Sequence, residues 1–303
     1  MSRHATYSFR VPASTSNLGA GFDALSLALQ RYLRVQLEVG GSAFEIIARG
    51  VDASSIPTTP ENLILRVAKS VASQRKRTLP GFRMGIDNEI PLARGMGSSA
   101  AAIIAGITCY ELAAEDSLSE AEIFRYAHEF ESHPDNLAAA FRGGLVAATE
   151  AADGGVMMVK LRVADGAKAI VVIPAFDLST EKARGVLPLT YSRKDAVYNI
   201  QRSALTIAAL TTGDWAMLRE AMRDRIHQPY RAPLIPGFEE ILALNTPGLL
   251  GVALSGAGPT VFALATPAKS ESVGRAITDV FEKHGVNATP MIVNIDEEGR
   301  VLC

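Results

Sequence analysis

A glycine- and serine-rich segment at residues 95–100, Gly-Met-Gly-Ser-Ser-Ala, has the composition of an anion-binding loop. It follows a strand-like run and precedes a longer apolar run typical of a buried helix. The first N–H groups of a helix lack partners within the helix and carry partial positive charge, and glycines let an anion approach the backbone. The segment therefore predicts a phosphate cradle, although a glycine turn with serine caps would have the same composition.

Other nucleotide-binding motifs fit this segment less well. It matches a loose Gly-x-Gly-x-x-Ala pattern, but no acidic residue ends a second strand about 20 residues later, as a dinucleotide fold requires. Glu111 and Glu115 instead fall within or just after the predicted helix. The sequence also lacks the Walker pattern and the protein-kinase catalytic motifs. A nucleotide enzyme of another type remains open.

Two further loops carry polar residues beside glycines. Residues 12–23 contain Asn17, Gly19, Gly21 and Asp23, and residues 254–260 read Leu-Ser-Gly-Ala-Gly-Pro-Thr between two apolar runs. A carboxylate at position 23 can accept hydrogen bonds from an ammonium or a hydroxyl group, and an amide at position 17 can donate or accept. Each segment alone also fits an Asx turn or a hairpin connection.

The elements that position these loops predict an α+β protein with mixed strands and helices in both halves. A helix from 100 to about 114 follows the glycine-serine loop, and Ser119 with Glu122 forms a capping box for the next helix, to about 131. A short helix at 136–142 ends at Gly143 and Gly144. The other predicted strands cover 7–12, 31–39, 43–49, 82–90, 169–173, 251–254, 261–264 and 291–295, and the other helices 62–73, 180–185, 192–210, 214–225, 236–244 and 269–283.

Length and composition exclude several classes of protein. The chain has 303 residues, 48% hydrophobic and 20% charged, with a net charge of −2, which is a globular balance without a global basic field for nucleic acid or anionic membrane. No apolar run reaches the length of a membrane span. Only Cys109 and Cys303 are cysteines, which argues against a disulfide framework or a cysteine-based zinc site. We therefore expect a cytoplasmic protein. The composition loosens at residues 164–168, which places a domain boundary between 1–165 and 166–303.

Taken together, the three loops resemble the motifs of the GHMP kinase superfamily. Residues 12–23, 91–101 and 255–259 match them in order and separation, with Met96 where leucine is commoner. Within the superfamily, four segments resemble the homoserine kinase family: His-Pro-Asp-Asn at 133–136, Thr-Glu-Lys-Ala-Arg at 180–184, His-Gln-Pro-Tyr-Arg at 227–231 and Leu-Ile-Pro at 234–236. The resemblance covers almost the whole chain.

The resemblance implies a two-domain architecture, an N-terminal mixed sheet with a phosphate-binding loop and a C-terminal ferredoxin-like α/β layer. It also implies a left-handed βαβ crossover in the first half, against the usual right-handed rule. The implied reaction transfers the γ-phosphoryl group of ATP to the side-chain hydroxyl of L-homoserine, giving O-phospho-L-homoserine on the route to threonine. The implied assembly is a homodimer, with neither nucleic acid nor membrane as a partner.

The resemblance also assigns the site residues. The residues implied to hold ATP are Asn62, near the adenine, and the loop residues Arg94, Gly95, Met96, Gly97, Ser98, Ser99 and Ala100. The residues implied for the substrate are Asn17, Asp23, His133, Asn136, Arg184 and Arg231, with the two arginines on the carboxylate because a guanidinium binds it through two hydrogen bonds. Mg²⁺ is implied at Ser98 and Glu129, with Glu131 as the alternative ligand.

The catalytic set comprises Ser98, Glu129, Asp135 and Asn136, and which of the last two faces the hydroxyl stays open. Phosphoryl transfer can pass through a loose transition state, so we hypothesise catalysis without a strong dedicated base. We expect His227 to support the loop that carries Arg231. The alternatives are another small-molecule GHMP kinase, such as one of the mevalonate pathway, and a non-catalytic ATP-binding regulator.

Overall fold

The computed structural model describes residues 5–152 and 154–303. Its strands are β1 (Ala5–Asn17), β2 (Gly21–Val39), β3 (Phe44–Gly50), β4 (Phe82–Asn88), β5 (Leu145–Glu150), β6 (Val156–Leu161), β7 (Lys168–Pro174), β8 (Leu249–Leu254), β9 (Val261–Ala265), β10 (Ala288–Val293) and β11 (Val301–Leu302). Its α-helices are α1 (Leu63–Gln74), α2 (Ser98–Ala114), α3 (Glu120–His128), α4 (Pro134–Arg142), α5 (Thr180–Gly185), α6 (Arg193–Thr212), α7 (Leu218–Ala221), α8 (Gln228–Arg231), α9 (Phe238–Ala243) and α10 (Ser270–Lys283).

The first sheet is mixed and has the order β11-β1-β2-β4-β3, with β5 paired to β2 and β6 to β5. Strands β3 and β4 are parallel and are joined through α1, whereas the other pairs are antiparallel. Helices α1, α2 and α4 pack together over this sheet. Helix α2 is buried on nearly every side because its sequence is apolar all round, and its first turn is held where β1 ends.

The second sheet is antiparallel with the order β10-β7-β9-β8. Numbered within this half, its strands are arranged 4-1-3-2, and helices α5 to α9 connect the first to the second while α10 connects the third to the fourth. Helix α10 buries Val273, Ile277 and Phe281 against the sheet. This arrangement confirms the predicted α+β class and the ferredoxin-like layer. Strand β11 returns to the first sheet, so the end of the chain crosses the predicted boundary at 165.

Two local predictions differ from the structure, and some strands were missed. The segment 12–23 is mostly strand: β1 runs to Asn17 and β2 starts at Gly21, because its small buried residues pair with Ser26–Leu29 across two irregular positions. The predicted helix 214–225 is broken into a 3₁₀ turn, the short α7 and a loop. Strands β5, β6 and β11 were not predicted. None of the helices in the described part of the chain has the length and apolarity to cross a membrane.

Candidate active site

A cleft of about 150 Å³ lies where the phosphate loop, the β1–β2 turn and the β8–β9 loop meet. It is lined from both halves of the chain. The first half contributes Ser16, Asn17, Asp23, Pro91, Ala93, Arg94, Gly95, Met96, Gly97, Ser98, Ser99, Ala100, Glu131, His133, Asp135 and Asn136, and the second contributes Leu178, Ser179, Thr180, Arg184, Arg231, Gly256, Ala257 and Gly258. Most of the residues predicted for the site are therefore brought together here.

The phosphate loop leaves the N-terminus of α2 open toward the cleft. Gly97 precedes the helix in a left-handed conformation and no side chain caps the first turn. Gly95 also has a positive φ, of 75°, and a Cβ there would lie 2.3 Å from the Ser255 carbonyl oxygen. The close approach of the Ser255 backbone thus requires glycine at position 95. The unpaired N–H groups and the helix dipole make this loop an anion site.

Ser255, in the β8–β9 loop, ties the three loops together. Its Oγ hydrogen-bonds the Gly95 carbonyl oxygen at 2.6 Å and Thr15 Oγ1 at 2.8 Å. The Ser14 N–H donates to the Met96 carbonyl oxygen at 3.2 Å. Because all of these contacts join segments distant in sequence, the geometry of the phosphate loop depends on both halves of the fold.

Asn17 and Asn136 line the cleft, and both the nitrogen and the oxygen of each side-chain amide form hydrogen bonds with other protein groups. Asn17 Nδ2 donates to the Gly256 carbonyl oxygen at 2.9 Å, and its Oδ1 accepts from the Asp23 N–H at 3.0 Å. Asn136 Nδ2 donates to Ser16 Oγ at 3.0 Å, and its Oδ1 accepts from Ser14 Oγ at 2.8 Å. Both side chains therefore fix the backbone segments around the cleft.

Asp23 and Arg184 form a two-hydrogen-bond ion pair across the cleft. Arg184 Nη2 lies 2.7 Å from Asp23 Oδ1 and Nη1 lies 3.2 Å from Oδ2. Each of the two side chains is 30% exposed to solvent. The pair joins β2 of the first sheet to α5 of the second half and presents one charge of each sign to a ligand.

Arg231 lies at the base of the cleft and is 1% exposed. Its Nε donates to the Ala183 carbonyl oxygen at 3.0 Å, and Nη1 donates to the Gly256 carbonyl oxygen at 3.1 Å and to His227 Nδ1 at 3.2 Å. Burial, with the nearby charge of Arg184 as a second cause, lowers the pKa of Arg231 to about 10. The guanidinium therefore stays charged at neutral pH. His227 contacts Arg231, as its position in the sequence indicated.

Asp135 is a carboxyl group buried on the wall of the cleft, with 2% exposure. Its Oδ1 accepts the Asn136 N–H at 2.6 Å. Burial is the main cause that raises the pKa of Asp135 to about 6, and the negative charge of Asp23 adds to it, against the opposing Asn136 hydrogen bond. The group is therefore mostly ionised at neutral pH and can accept a proton.

The two candidate metal-binding glutamates lie in different places. Glu131 lines the cleft and accepts a hydrogen bond at 2.8 Å from His133 Nδ1. Glu129 lies outside the cleft lining because α3 ends at His128 and the following side chain turns toward α1, where Gln74 Nε2 donates to Glu129 Oε2 at 2.7 Å. Ser98, at the start of α2, lines the cleft with Glu131.

Asn62 and Arg94 are both held by protein contacts. Asn62 is the N-cap of α1 and is not among the cleft residues: its Oδ1 accepts the Ile64 N–H at 3.0 Å and its Nδ2 donates to the Pro57 carbonyl oxygen at 2.7 Å. Its adenine contact stays a prediction. Arg94 lines the cleft, and its Nε donates to Asp177 Oδ1 at 3.2 Å, which links the phosphate loop to the segment before α5.

Three residues behind Arg231 were not assigned to the site from the sequence. Asp224 has no exposed side-chain surface, and its carboxylate accepts the N–H groups of Ile226, His227 and Gln228 at 3.0, 2.9 and 2.6 Å. Asn199 Nδ2 donates to Asp224 Oδ1 at 2.6 Å. Phe22 lies under both arginines, 5.4 Å from the Arg231 guanidinium carbon and 5.6 Å from that of Arg184.

The only sequence signal for these residues is an acidic side chain just before a helix, at Asp224. The contacts of Asn199 and Phe22 join segments far apart in the chain.

Comparison with known proteins agrees with this fold. The family described as GHMP kinases N terminal domain matches residues 62–144, and the family described as GHMP kinases C terminal matches residues 206–283. A homoserine kinase from Solibacter usitatus is 43% identical over 97% of this chain and 96% of its own length. One from Desulfitobacterium hafniense is 40% identical over 97% of this chain and 98% of its own.

Solved structures give the same result. A homoserine kinase from Cytophaga hutchinsonii superposes with a TM-score of 0.85 at 25% identity, covering 98% of this chain and 97% of that one. A mevalonate kinase from L. major, at 17% identity and a TM-score of 0.70, shares the fold, covering 98% of this chain and 99% of that one.

The fold and the phosphate loop thus define the chain as a GHMP kinase, an ATP-dependent enzyme of the small-molecule kinase class. Among the GHMP kinases it belongs to the homoserine kinase family, since the two homoserine kinases above are 43% and 40% identical to it over nearly the whole chain.

Proposed function

We propose that the enzyme transfers the γ-phosphoryl group of ATP to the side-chain hydroxyl of L-homoserine, giving O-phospho-L-homoserine for threonine biosynthesis. One observation carries the proposal: a single cleft places the open N-terminus of α2 beside a carboxylate and two guanidinium groups. The first feature suits a phosphate chain, and the second suits the two charged ends of an amino acid.

The nucleotide phosphates would lie on the backbone of residues 95–100, where the first N–H groups of α2 face the cleft. Ser98 and Ser99 add hydroxyl donors, and Arg94 adds a positive charge at the mouth of the loop. We keep Asn62 as the residue nearest the adenine. In phosphoryl transfer such contacts act mainly by positioning and by stabilising negative charge.

Mg²⁺ fits the oxygen ligands of this cleft. The hydroxyl of Ser98 and the carboxylate of Glu131 both line it, and both are ligand types that Mg²⁺ accepts while it keeps bound waters. We propose Glu131 in preference to Glu129, since Glu129 is bonded to Gln74 on the surface. When bound, the ion would neutralise charge on the transferred phosphoryl group.

The substrate would exchange partners with the Asp23–Arg184 ion pair. In the protein alone these charges neutralise one another, and a zwitterion offers each of them a replacement: its ammonium for Asp23 and its carboxylate for Arg184. Arg231 would supply the second guanidinium to the carboxylate. His133 and Asn136 line the same wall and would contact the rest of the substrate.

Of the carboxylates that line the cleft, Asp135 is the proposed acceptor of the hydroxyl proton, since Asp23 is paired with Arg184 and Glu131 is proposed for Mg²⁺. We retain the hypothesis that no strong base is needed. In a loose transition state the bond from the attacking hydroxyl oxygen to phosphorus is barely formed, so the hydroxyl proton need not have left at that stage. Asp135 would then mainly orient the hydroxyl and take the proton late.

A coupled assay of ATP consumption tests the proposal, with L-homoserine, mevalonate, galactose and no acceptor in parallel. We expect turnover with L-homoserine and a background rate with the others. Turnover confined to mevalonate or galactose would assign the chain to another small-molecule kinase. ATP binding without turnover on any acceptor would make it a non-catalytic regulator.

We also propose a homodimer, domains at 1–165 and 166–303, and a cytoplasmic location where ATP is available. Sedimentation of the purified chain tests the dimer, since a single species with twice the monomer mass is expected and a monomer at all concentrations would contradict it. Limited proteolysis tests the boundary, with the first cuts expected at residues 164–168.

A further inference from the structure

We propose that His227 is a positioning residue that sets the preference of the enzyme for a substrate carboxylate, by fixing the guanidinium of Arg231. The inference rests on the proposed function, in which Arg231 binds that carboxylate. His227 is not among the residues that line the cleft, so its effect must pass through its neighbours.

The guanidinium of Arg231 is held on one side only. Nε and Nη1 donate three hydrogen bonds, to Ala183, Gly256 and His227, and these two nitrogens fix the plane of the group. Nη2 has no hydrogen-bond partner within residues 5–152 and 154–303, while Arg231 lines the cleft. The N–H groups of Nη2 are therefore the donors available to a ligand.

The contacts of His227 require one tautomer. Its Nε2 lies 2.8 Å from the Gly19 carbonyl oxygen, which can only accept, so Nε2 carries the proton. Nδ1 is then free to accept the hydrogen bond from Arg231 Nη1. Burial, the largest effect, and the charge of Arg231 lower the pKa of His227, against the opposing carboxylate of Asp224, so the ring is neutral at pH 7.

The imidazole ring is held by an aromatic contact, and the backbone that carries it is held by a hydrogen bond. Phe22 stacks on it, with ring centroids 5.1 Å apart and planes inclined by 19°. Asp224 accepts the backbone N–H of His227 at 2.9 Å, and this carboxylate is in turn held by Asn199. The side chain of His227 is fully buried, so no water competes for either ring nitrogen.

The ring connects the two ends of the substrate subsite. Gly19 lies in the turn between Asn17 and Asp23, which carries the acidic group proposed for the ammonium, and Arg231 carries the group proposed for the carboxylate. A single neutral imidazole therefore sets the spacing between these groups. Losing its Nδ1 acceptor would free Arg231 to rotate, while the contact to Gly19 could be kept.

Two substitutions separate the two ring nitrogens. In His227→Gln the side-chain amide can still donate toward Gly19 but offers Arg231 no acceptor near the Nδ1 position, whereas in His227→Asn an amide oxygen can occupy that position. The readout is kcat/KM for L-homoserine divided by kcat/KM for L-homoserine amide, whose carboxylate is replaced by a neutral group. His128→Gln, at the end of α3 and outside the cleft, is the matched control.

We expect the wild-type enzyme and His128→Gln to prefer L-homoserine by about 100-fold or more, because the amide leaves buried donors without a charged partner. In His227→Gln the ratio should fall about tenfold with KM for ATP unchanged, and His227→Asn should recover most of it. A ratio that His227→Gln leaves intact would overturn the inference, even if both rates fell.

The remaining outcomes are also decisive. If the wild-type enzyme accepts the amide as well as L-homoserine, the carboxylate role of Arg231 in the proposed function fails instead. A measurement on the wild-type protein covers the case in which a variant does not fold: the ¹⁵N chemical shifts of His227 should report a neutral ring protonated on Nε2. A ring protonated on Nδ1, alone or with Nε2, would exclude the hydrogen bond from Arg231 and overturn the inference.

Discussion

The surroundings of the Asp135 carboxyl group disfavour its ionised form. It is almost fully buried, and Asp23 places a second negative charge nearby, so that its pKa rises from 3.8 to about 6. Active sites often hold a carboxyl group in this way because a pKa near the working pH allows proton transfer in both directions. The same shift has a consequence for stability, since a group that ionises less readily when folded disfavours folding at high pH.

The first prediction concerns stability. Between about pH 4 and pH 6 the unfolded chain has released a proton that the folded Asp135 still holds, so the free energy of unfolding falls as pH rises through this window and is level above it. Asp135→Asn removes this loss. We expect the variant to be more stable than the wild type by about 2–3 kcal/mol at pH 8 and to lose that advantage at pH 4.

Urea unfolding at the two pH values measures the difference. An advantage of the same size at pH 4 and pH 8 would show that the substitution acts through something other than the ionisation of Asp135.

The second prediction concerns catalysis by the same residue. If positioning and charge stabilisation dominate, Asp135→Asn should lower kcat by no more than about 100-fold. The wild-type kcat/KM for homoserine should fall as pH drops below about 6, and the variant should show no such step. Steady-state rates from pH 5 to pH 9 give both results. Loss of nearly all kcat at an unchanged KM would identify Asp135 as an essential base.

At the level of helices and strands, the sequence predicted what is encoded locally. The capping box of Ser119 and Glu122 is formed, and α4 ends at Gly143 as predicted. Strand β6 was missed because it is a half-exposed edge strand: Met157 and Val159 are exposed to solvent, so its pattern lacks a buried face. The predicted helix at 214–225 ends early because the Asp224 carboxylate takes the backbone N–H groups that begin the next turn.

The same division applies to the candidate site. The phosphate loop, Asp23 and both arginines belong to short motifs, and the structure places them on one cleft. The support behind Arg231 could not be predicted, because Phe22, Asn199 and Asp224 come together only through tertiary contacts between β2, α6 and the loop before α8. Such contacts leave no periodic or spaced pattern in the sequence.

The third prediction tests the phosphate loop as an element. In Gly95→Ala the new Cβ would lie 2.3 Å from the Ser255 carbonyl oxygen, at a φ of 75° that costs other residues about 1–2 kcal/mol. The loop must shift, and we expect kcat/KM for ATP to fall by at least tenfold. Gly85→Ala is the control, since a Cβ in that strand meets nothing nearer than 3.9 Å.

Steady-state kinetics with ATP as the varied substrate measure both glycine variants. Equal rates for the two would mean that the conformation of Gly95 is not needed for nucleotide binding.

In the whole molecule, the active-site cleft is the place where the two sheets act together. The net charge of −2 gives no hint of it, because a sum over the whole chain does not show that arginines and carboxylates from both halves line one cleft. The contacts that cross from the first half to the second at the cleft include Asp23 to Arg184, Arg94 to Asp177, and Asn17 to Gly256. A ligand that binds between them stabilises both halves at once.

The last prediction follows from this arrangement. At 100 times its Kd, a ligand that binds only the folded chain adds about 2.7 kcal/mol to the free energy of unfolding. Homoserine and an unreactive ATP analogue should each raise the Tm of the wild-type enzyme. Arg184→Gln removes one guanidinium from the substrate end of the cleft and leaves the phosphate loop untouched, so the shift with homoserine should be lost while that with the nucleotide stays. Arg223→Gln, a surface arginine outside the cleft, should keep both shifts. If Arg184→Gln lost both shifts, or neither, the cleft would not be divided into a substrate end and a nucleotide end as its lining indicates.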